Sequence, residues 1–279
     1  MLNNQPMGFY QPATLVKDAQ RHGLHFLPVD VTLSAWECTL EHSKGEWAVR
    51  LGFNYVRGMR KQTAEAIALA RPFCSLDDLA ARVPGIRKEE LRILAEIGAL
   101  NPLRQEHRRA ALWEAERALR VAGPLFENLD SCNEAAPLTK MNAFERTRAD
   151  YSGTGLTIGT HPISLYRPTF AKRGVVRAAD LMKVPDGRWV RVAGCVICRQ
   201  RPGTAKGFVF LSLEDETGIA NAIVTPDLFE AYRLPLVQEP YLLVEGVLQN
   251  LQGTVPVKVQ RVEAVRLSAD TATRSHDFH

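Results

Sequence analysis

From about residue 188 onward the chain is written in short apolar runs: "RWVRVAGCVICRQ", "GFVFLSLED", "IANAIVT", "YLLVEGVLQN" and "VPVKVQRVEAV". Each has strand length and strand composition, and turn residues separate them. Five such runs within about 90 residues predict a small five-stranded barrel. Upstream the period changes. "RKQTAEAIALA" sets Ala64, Ile67 and Ala68 at helical spacing after Gly58, and further helices are expected over Leu76–Arg82, Lys88–Ile97 and Gln105–Ala122. The last two stop at Gly98 and Gly123, where a left-handed residue ends a helix cheaply. The fold class expected is therefore multidomain α+β, a helical domain followed by a barrel.

The 279 residues exceed one ordinary domain, so two units with connectors are expected. Hydrophobic residues make up 46% and charged residues 24%, the balance of a chain that folds around real cores. A net charge of +4 is too small to name a partner, so the placement of charge decides more than its total. The sequence carries no apolar run of membrane-spanning length, and a cytoplasmic protein with no membrane partner is expected. Five scattered cysteines, Cys38, Cys74, Cys132, Cys195 and Cys198, do not make a disulfide scaffold. Ahead of the helical region stand a short helix over Pro12–Arg21, a strand-like "LHFLPVD" and a strand-like run over Glu46–Val56. Between Pro124 and Pro168 the pattern loosens into a connector, with one helix expected over Lys140–Ala149.

Within the helical region, "RVPGIRKEELRILAEIGAL" breaks a helical pattern with Pro84-Gly85 and resumes it at once on Arg87-Lys88. A turn of this kind between two helices gathers backbone N–H groups where an anion is favoured. Val83, Pro84, Gly85 and Ile86 fit that scheme: Pro84 stiffens the entry, Gly85 allows close approach or positive φ, and Arg87 and Lys88 add charge beside the site. "YVRGMRKQTAEAI" repeats the scheme with Gly58, Arg60 and Lys61. Two such hairpins could hold one DNA backbone at two phosphates, whereas an ordinary packed turn would need no ligand at all. Neither copy has a second glycine two residues on, because Arg60 and Arg87 stand there, which weakens the amide version of the contact.

The barrel points the same way. In an OB-fold the face of strands two and three and the loop after strand one bind oligonucleotides. Here that loop carries Arg199, Arg201 and Lys206, and from Lys172 to Gly207 nine basic residues face two acidic ones, an asymmetry suited to a phosphate backbone. Strand two sends Phe208 and Phe210 to one side and Val209, Leu211 and Leu213 to the other. One row is core and the other is free to stack bases, and alternation alone does not say which. Glu214, Asp215 and Glu216 before a Thr-Gly pair read as turn formers rather than metal ligands. Cys195 and Cys198 have no second ligand pair nearby, and His161 has no nucleophile and acid to complete a triad. The sequence shows no catalytic constellation.

Six stretches, "LNNQPMGFYQPATLVKDAQRHG", "LPVDV", "VRLGFNYVRGM", "EIGAL", "RQRPGTAKGFVFLSLEDETGIANAIV" and "SHDFH", together resemble the C-terminal portion of bacterial C-family DNA polymerases (DNA polymerase III alpha-like), most closely the error-prone type of damage-induced mutagenesis. The resemblance covers nearly the whole chain. It implies an order of parts: residues 1–45 the end of the polymerase fingers, 46–123 a tandem helix-hairpin-helix domain gripping duplex primer-template, and 124–172 a connector. Residues 173–267 would be an OB-fold for the single-stranded template, and 268–279 a C-terminal tail. Upstream parts of that family, including the palm whose aspartates hold Mg2+, have no counterpart here. The resemblance thus implies no cofactor in this chain, no primer extension by it alone, and a truncated or split product whose partners are DNA, an upstream polymerase half and other mutagenesis proteins. Two further readings stand beside it: a free-standing, non-enzymatic DNA-binding repair accessory, and an RNA-binding OB-fold module.

Overall fold

The computed structural model describes residues 1–8, 11–43, 45–103, 107–118, 138–250, 253–266 and 276–278. The chain divides into two compact units, one of Met1–Asn3 and Leu24–Ile158, the other of Asn4–Gly23 and Gly159–His279. Helix α1 (Pro12–Arg21), expected as part of the fingers remnant, belongs to the second unit, while the connector helix belongs to the first.

In the first unit, β1 (His25–Leu27), β2 (Thr39–Ser43) and β3 (Glu46–Arg50) form a sheet in the order β1-β3-β2, with β1 parallel and β2 antiparallel to β3. The run read as strand over Glu46–Val56 stops at Arg50 and turns into a single 3-10 turn at Phe53–Tyr55. Helices α2 (Lys61–Leu69), α3 (Leu76–Arg82), α4 (Lys88–Glu96), α5 (Arg108–Ala118) and α6 (Ala143–Thr154) follow. Residues 105–106 and 119–122, within the helix expected over Gln105–Ala122, lie outside the described residues.

The ends of these helices are set by local chemistry. Ser75 accepts from the Asp78 amide at 3.1 Å to start α3. Asn142 and Glu145 exchange bonds of 2.9 and 2.8 Å to start α6, which ends on Gly155 at φ +76°. Helices of 7 to 12 residues are marginal by themselves. They are held by a core in which Phe53, Ile67, Leu79, Leu91, Leu94 and Leu100 are fully buried, each worth about 1.5–3 kcal/mol.

In the second unit, α7 (Pro162–Leu165), α8 (Arg167–Lys172) and β4 (Val175–Val176) precede β5 (Trp189–Gln200), β6 (Val209–Glu214) and β7 (Ile219–Val224). Then come α9 (Pro226–Ala231), α10 (Arg233–Gln238), β8 (Tyr241–Leu248), β9 (Val257–Ala264) and β10 (His276–Phe278). The sheet order β5-β6-β7-β9-β8 closes on itself because β8 pairs back with β5 along Trp189–Cys195. This is the five-stranded closed barrel of an OB-fold. β5 serves two partners: Trp189–Cys195 lies against β8, and Cys195–Gln200 lies against β6, with a bulge at Ile197 interrupting the second pairing.

The apolar run Tyr241–Val244 that opens β8 has a physical reason. Leu242, Val244 and Leu248 point into the barrel with Val192, Leu211 and Leu213. Tyr241 and Leu243 point outward and are buried against Ile163 and Phe170, so the strand is covered on both faces. Gly246 permits the approach of β9, since an added Cβ would lie 2.1 Å from the Lys258 carbonyl oxygen. α1 is fastened to this unit by Arg21, which donates to Glu214 at 3.0 Å, and by Lys17, which donates to the Gly159 carbonyl at 2.5 Å. Among the described residues no helix is long and apolar enough to cross a membrane.

Candidate nucleic-acid interface

The two hairpins of the first unit are copies 27 residues apart: Val56, Gly58, Met59, Arg60 and Lys61 match Val83, Gly85, Ile86, Arg87 and Lys88. Val56, Met59, Val83 and Ile86 are buried anchors, while Gly58, Lys61, Pro84, Gly85, Arg87 and Lys88 are exposed. Ile86 thus shapes the turn from inside and offers its side chain to no ligand. Gly58 takes φ +74°. Gly85 does not have positive φ and meets nothing within 4 Å of an added Cβ, so its use is open space beside the turn. Arg60 and Arg87 both adopt extended backbone as the N-cap residues of α2 and α4.

One carboxylate joins the copies. Glu90, 2% exposed, accepts from the Arg87 amide at 2.8 Å and from the Arg60 amide at 3.0 Å. It also takes two bonds from the Arg60 guanidinium, at 3.0 and 2.7 Å, and Arg60 reaches on to the Gly85 carbonyl at 2.5 Å. Burial alone would raise the Glu90 carboxyl, but the Arg60 guanidinium and the two amides outweigh it and hold it down at about 2.

This changes the expectation for the turn. The two amides at the places of the missing second glycines point at a protein carboxylate, and Arg60 is an internal strut between hairpins. Lys61 and Arg87 extend the exposed rim, with Lys88 paired to Glu116 at 2.7 Å on the surface. Glu90 was legible as the third residue of α4 after its N-cap, the place from which an acid reaches back to the N-cap amide.

On the barrel, Val209, Leu211 and Leu213 are core, so Phe208 and Phe210 form the outward row; Phe210 is 37% exposed. Register places Gln200, Phe210, Ile223 and Lys258 side by side across β5, β6, β7 and β9. The next row sets Ser212 beside Asn221, joined at 3.3 Å. Ile223 and Lys258 extend a face of which the sequence offered only the Phe208 and Phe210 row. The alternation of β7 and β9 held them, but it gives no register between strands.

Of the three basic residues expected in the loop after β5, Arg199 lies within the strand itself, paired in register with Leu211, and only Arg201 and Lys206 stand in the loop. Arg199 turns back and donates to the Leu236 and Glu239 carbonyls, each at 2.6 Å, closing the C-terminal end of α10. Its expected place among the phosphate contacts is corrected accordingly: the guanidinium is spent on the fold. Arg201 is exposed and lies over the Phe229 ring at 4.6 Å. Lys206 is exposed and held at φ +50°, followed by Gly207 at φ +84°, in a turn closed from the Phe208 amide to the Ala205 carbonyl at 3.0 Å.

The acidic run that begins with Glu214 at the end of β6 is built into the fold, as the turn chemistry predicts. Asp215 Oδ1 accepts from the Thr217 and Gly218 amides at 2.7 and 3.0 Å, and its Oδ2 accepts from the Ala178 amide at 2.9 Å. Arg167 bonds both Asp215 and Glu216. Burial lifts the Glu214 carboxyl to about 7 despite Arg21 beside it. His161, 5% exposed, accepts from the Ile163 amide through Nδ1. Burial, and then Lys17, Arg21 and Arg167, lower it to about 3, so it is a neutral cap for a short helix.

Comparison with known proteins gives the same two parts. Residues 23–111 match the helix-hairpin-helix motif family, and residues 190–265 match the OB-fold nucleic acid binding domain family. The whole chain is 41% identical to an error-prone DNA polymerase of Anaeromyxobacter dehalogenans and 43% identical to one of Alkalilimnicola ehrlichii, covering 25% and 27% of those proteins. A solved asparaginyl-tRNA synthetase from Pyrococcus horikoshii overlaps 34% of this chain and 23% of its own, at 26% identity and a TM-score of 0.30. The chain spans about a quarter of the length of the relatives it matches. Along its whole length it is homologous to that quarter of bacterial error-prone DNA polymerases, with a helix-hairpin-helix region followed by an OB-fold.

Proposed function

We propose that the chain is the DNA-binding C-terminal part of an error-prone DNA polymerase that acts in repair and translesion synthesis after DNA damage. The observation that carries this reading is the homology of the entire chain to polymerases so named. In it, the hairpin rim of Lys61, Arg87 and Lys88 grips duplex primer-template, and the Phe210 face with Arg201 and Lys206 tracks the single-stranded template. Exposed cations beside an exposed aromatic are the chemistry that such strands need, charge for phosphates and a flat ring for bases. Nucleotide addition, with the Mg2+ it requires, belongs to the rest of the polymerase, and the chain alone does not extend a primer. It works in the cytoplasm with that remaining polypeptide and other mutagenesis proteins.

The test is binding of labelled duplex and single-stranded oligonucleotides by fluorescence anisotropy. Arg87→Gln with Lys88→Gln should weaken duplex binding about tenfold at low salt, with the loss shrinking as salt rises. Equal duplex affinity of this variant and its parent at low salt would refute the assignment of the hairpins.

A further inference from the structure

The three-stranded sheet of the first unit presents its apolar side outward. Register sets Phe26, Val49 and Leu40 in one row across β1, β3 and β2, and Trp47 opposite His42 in the next. Leu40 is 60% and Trp47 59% exposed, whereas Ala48 and Arg50, on the other face, are 2% and 7% exposed. The core of this unit therefore lies on the Ala48 side. The rows of Phe26 and Trp47 contain no lysine, arginine, aspartate or glutamate.

Single exposed leucines need no explanation, but contiguous apolar side chains on one sheet face mark a contact surface. Nucleic acid is a poor fit, because a phosphate backbone is bound through cations and these rows have none. A protein surface of matching apolar character fits. The homologous polymerases supply a specific one: about three quarters of their length lies outside the part that this chain matches. A sheet of three strands with 3 to 5 residues each gains most from a second covering layer.

We infer that the outward face of the β1-β3-β2 sheet, centred on Leu40 and Trp47, docks the polypeptide corresponding to those remaining three quarters, whether joined to this chain or separate from it. The inference rests on the polymerase reading above and adds the surface by which the parts meet. Trp47 would be the anchor, as a large ring losing little entropy on burial, with Leu40 and Val49 beside it.

The experiment mixes the chain with a separately expressed polypeptide comprising the part of the Alkalilimnicola ehrlichii polymerase outside the matched quarter. Association is read by calorimetry, and primer extension on the mixture by gel. Leu40→Ser with Trp47→Ser is the test variant, with thermal unfolding confirming that it folds. Leu69→Ser, at an 87% exposed position on α2, is the control.

The expected result is a complex that the double variant weakens about tenfold or more while the control leaves it unchanged. DNA affinity of the isolated chain should be the same in all three proteins. A complex of equal strength with the double variant overturns the docking inference and leaves the polymerase reading standing. Absence of both complex and extension overturns the two together. If the double variant instead loses self-association or nucleic-acid binding, the face belongs to a second copy or to a strand, and the inference fails.

Discussion

Glu90→Gln isolates what one carboxylate does for two helices. The fall of the Glu90 carboxyl from 4.5 to about 2 corresponds to about 3 kcal/mol of native-state stabilisation at neutral pH. Breaking a buried ion pair costs about 3–5 kcal/mol when the partner stays desolvated. Arg60 keeps 35% exposure and is partly rehydrated, so the low end applies. The amide oxygen of Gln can still accept one backbone N–H. The expected loss is therefore about 2–3 kcal/mol in the first unit.

The sign with pH follows from a folded value below the unfolded one. The contribution is complete above about pH 4.5 and disappears as pH falls toward 2. Urea unfolding at pH 7 and pH 3, followed by tryptophan fluorescence in a Trp189→Phe background so that Trp36, Trp47 and Trp113 of the first unit report, reads the gap between variant and parent. It should be wide at pH 7 and much reduced at pH 3. Coincident midpoints at pH 7, or a gap of the same size at both values, would refute the role assigned to Glu90.

Three further outcomes are expected. Arg199→Gln should lower barrel stability by about 1–2 kcal/mol through the lost α10 carbonyl bonds and leave the salt slope of single-strand binding unchanged, whereas Arg201→Ala with Lys206→Ala should flatten that slope by about 1 to 1.5 and leave the fold intact. Lys206→Gly should raise thermal stability, by about 0.5–1 kcal/mol, because a left-handed lysine is strained, while still weakening single-strand binding; a lowered melting temperature would show that the turn is not strained. In a carbon-detected NMR titration the Glu214 carboxyl should titrate near pH 7 and His161 should stay neutral down to about pH 3. The second unit should then lose stability on either side: from His161 as pH falls below 6.5, and from Glu214 as pH rises from 4.5 to about 7. An ordinary carboxyl midpoint for Glu214 would contradict this.

Much of the architecture was legible because local signals were strong. α1 and α3 begin and end where Pro12, Arg21, Leu76 and Arg82 put them, and all five barrel strands follow their apolar runs. α9 and α10 were missed since "PDLFEAYRLPLVQ" holds two six-residue helices that share Tyr232 at their junction, too short for any helical period to repeat. β2 was missed because "TLEHS" alternates with its exposed positions apolar at Leu40. The candidate site was harder to read. A basic residue in a loop is the same letter whether it caps a helix or waits for phosphate. Arg199 and Arg201 stand two apart and do different things, and only the position of the α10 carbonyls separates them. Likewise Glu90 is one of two adjacent acids at the start of α4. Its reach to the Arg60 amide, 30 residues away, is a property of how the hairpins pack.

β10 runs parallel to β5 beside Cys198–Gln200, along the stretch where β5 has parted from β8 and pairs on its other side with β6. Without it, that length of backbone would present unpaired donors and acceptors to any neighbouring chain, an open template for strand addition. The three residues His276–Phe278 thereby act as a guard on solubility. Their worth is measured in crowded or concentrated solution, where a missing guard turns separate molecules into linked ones.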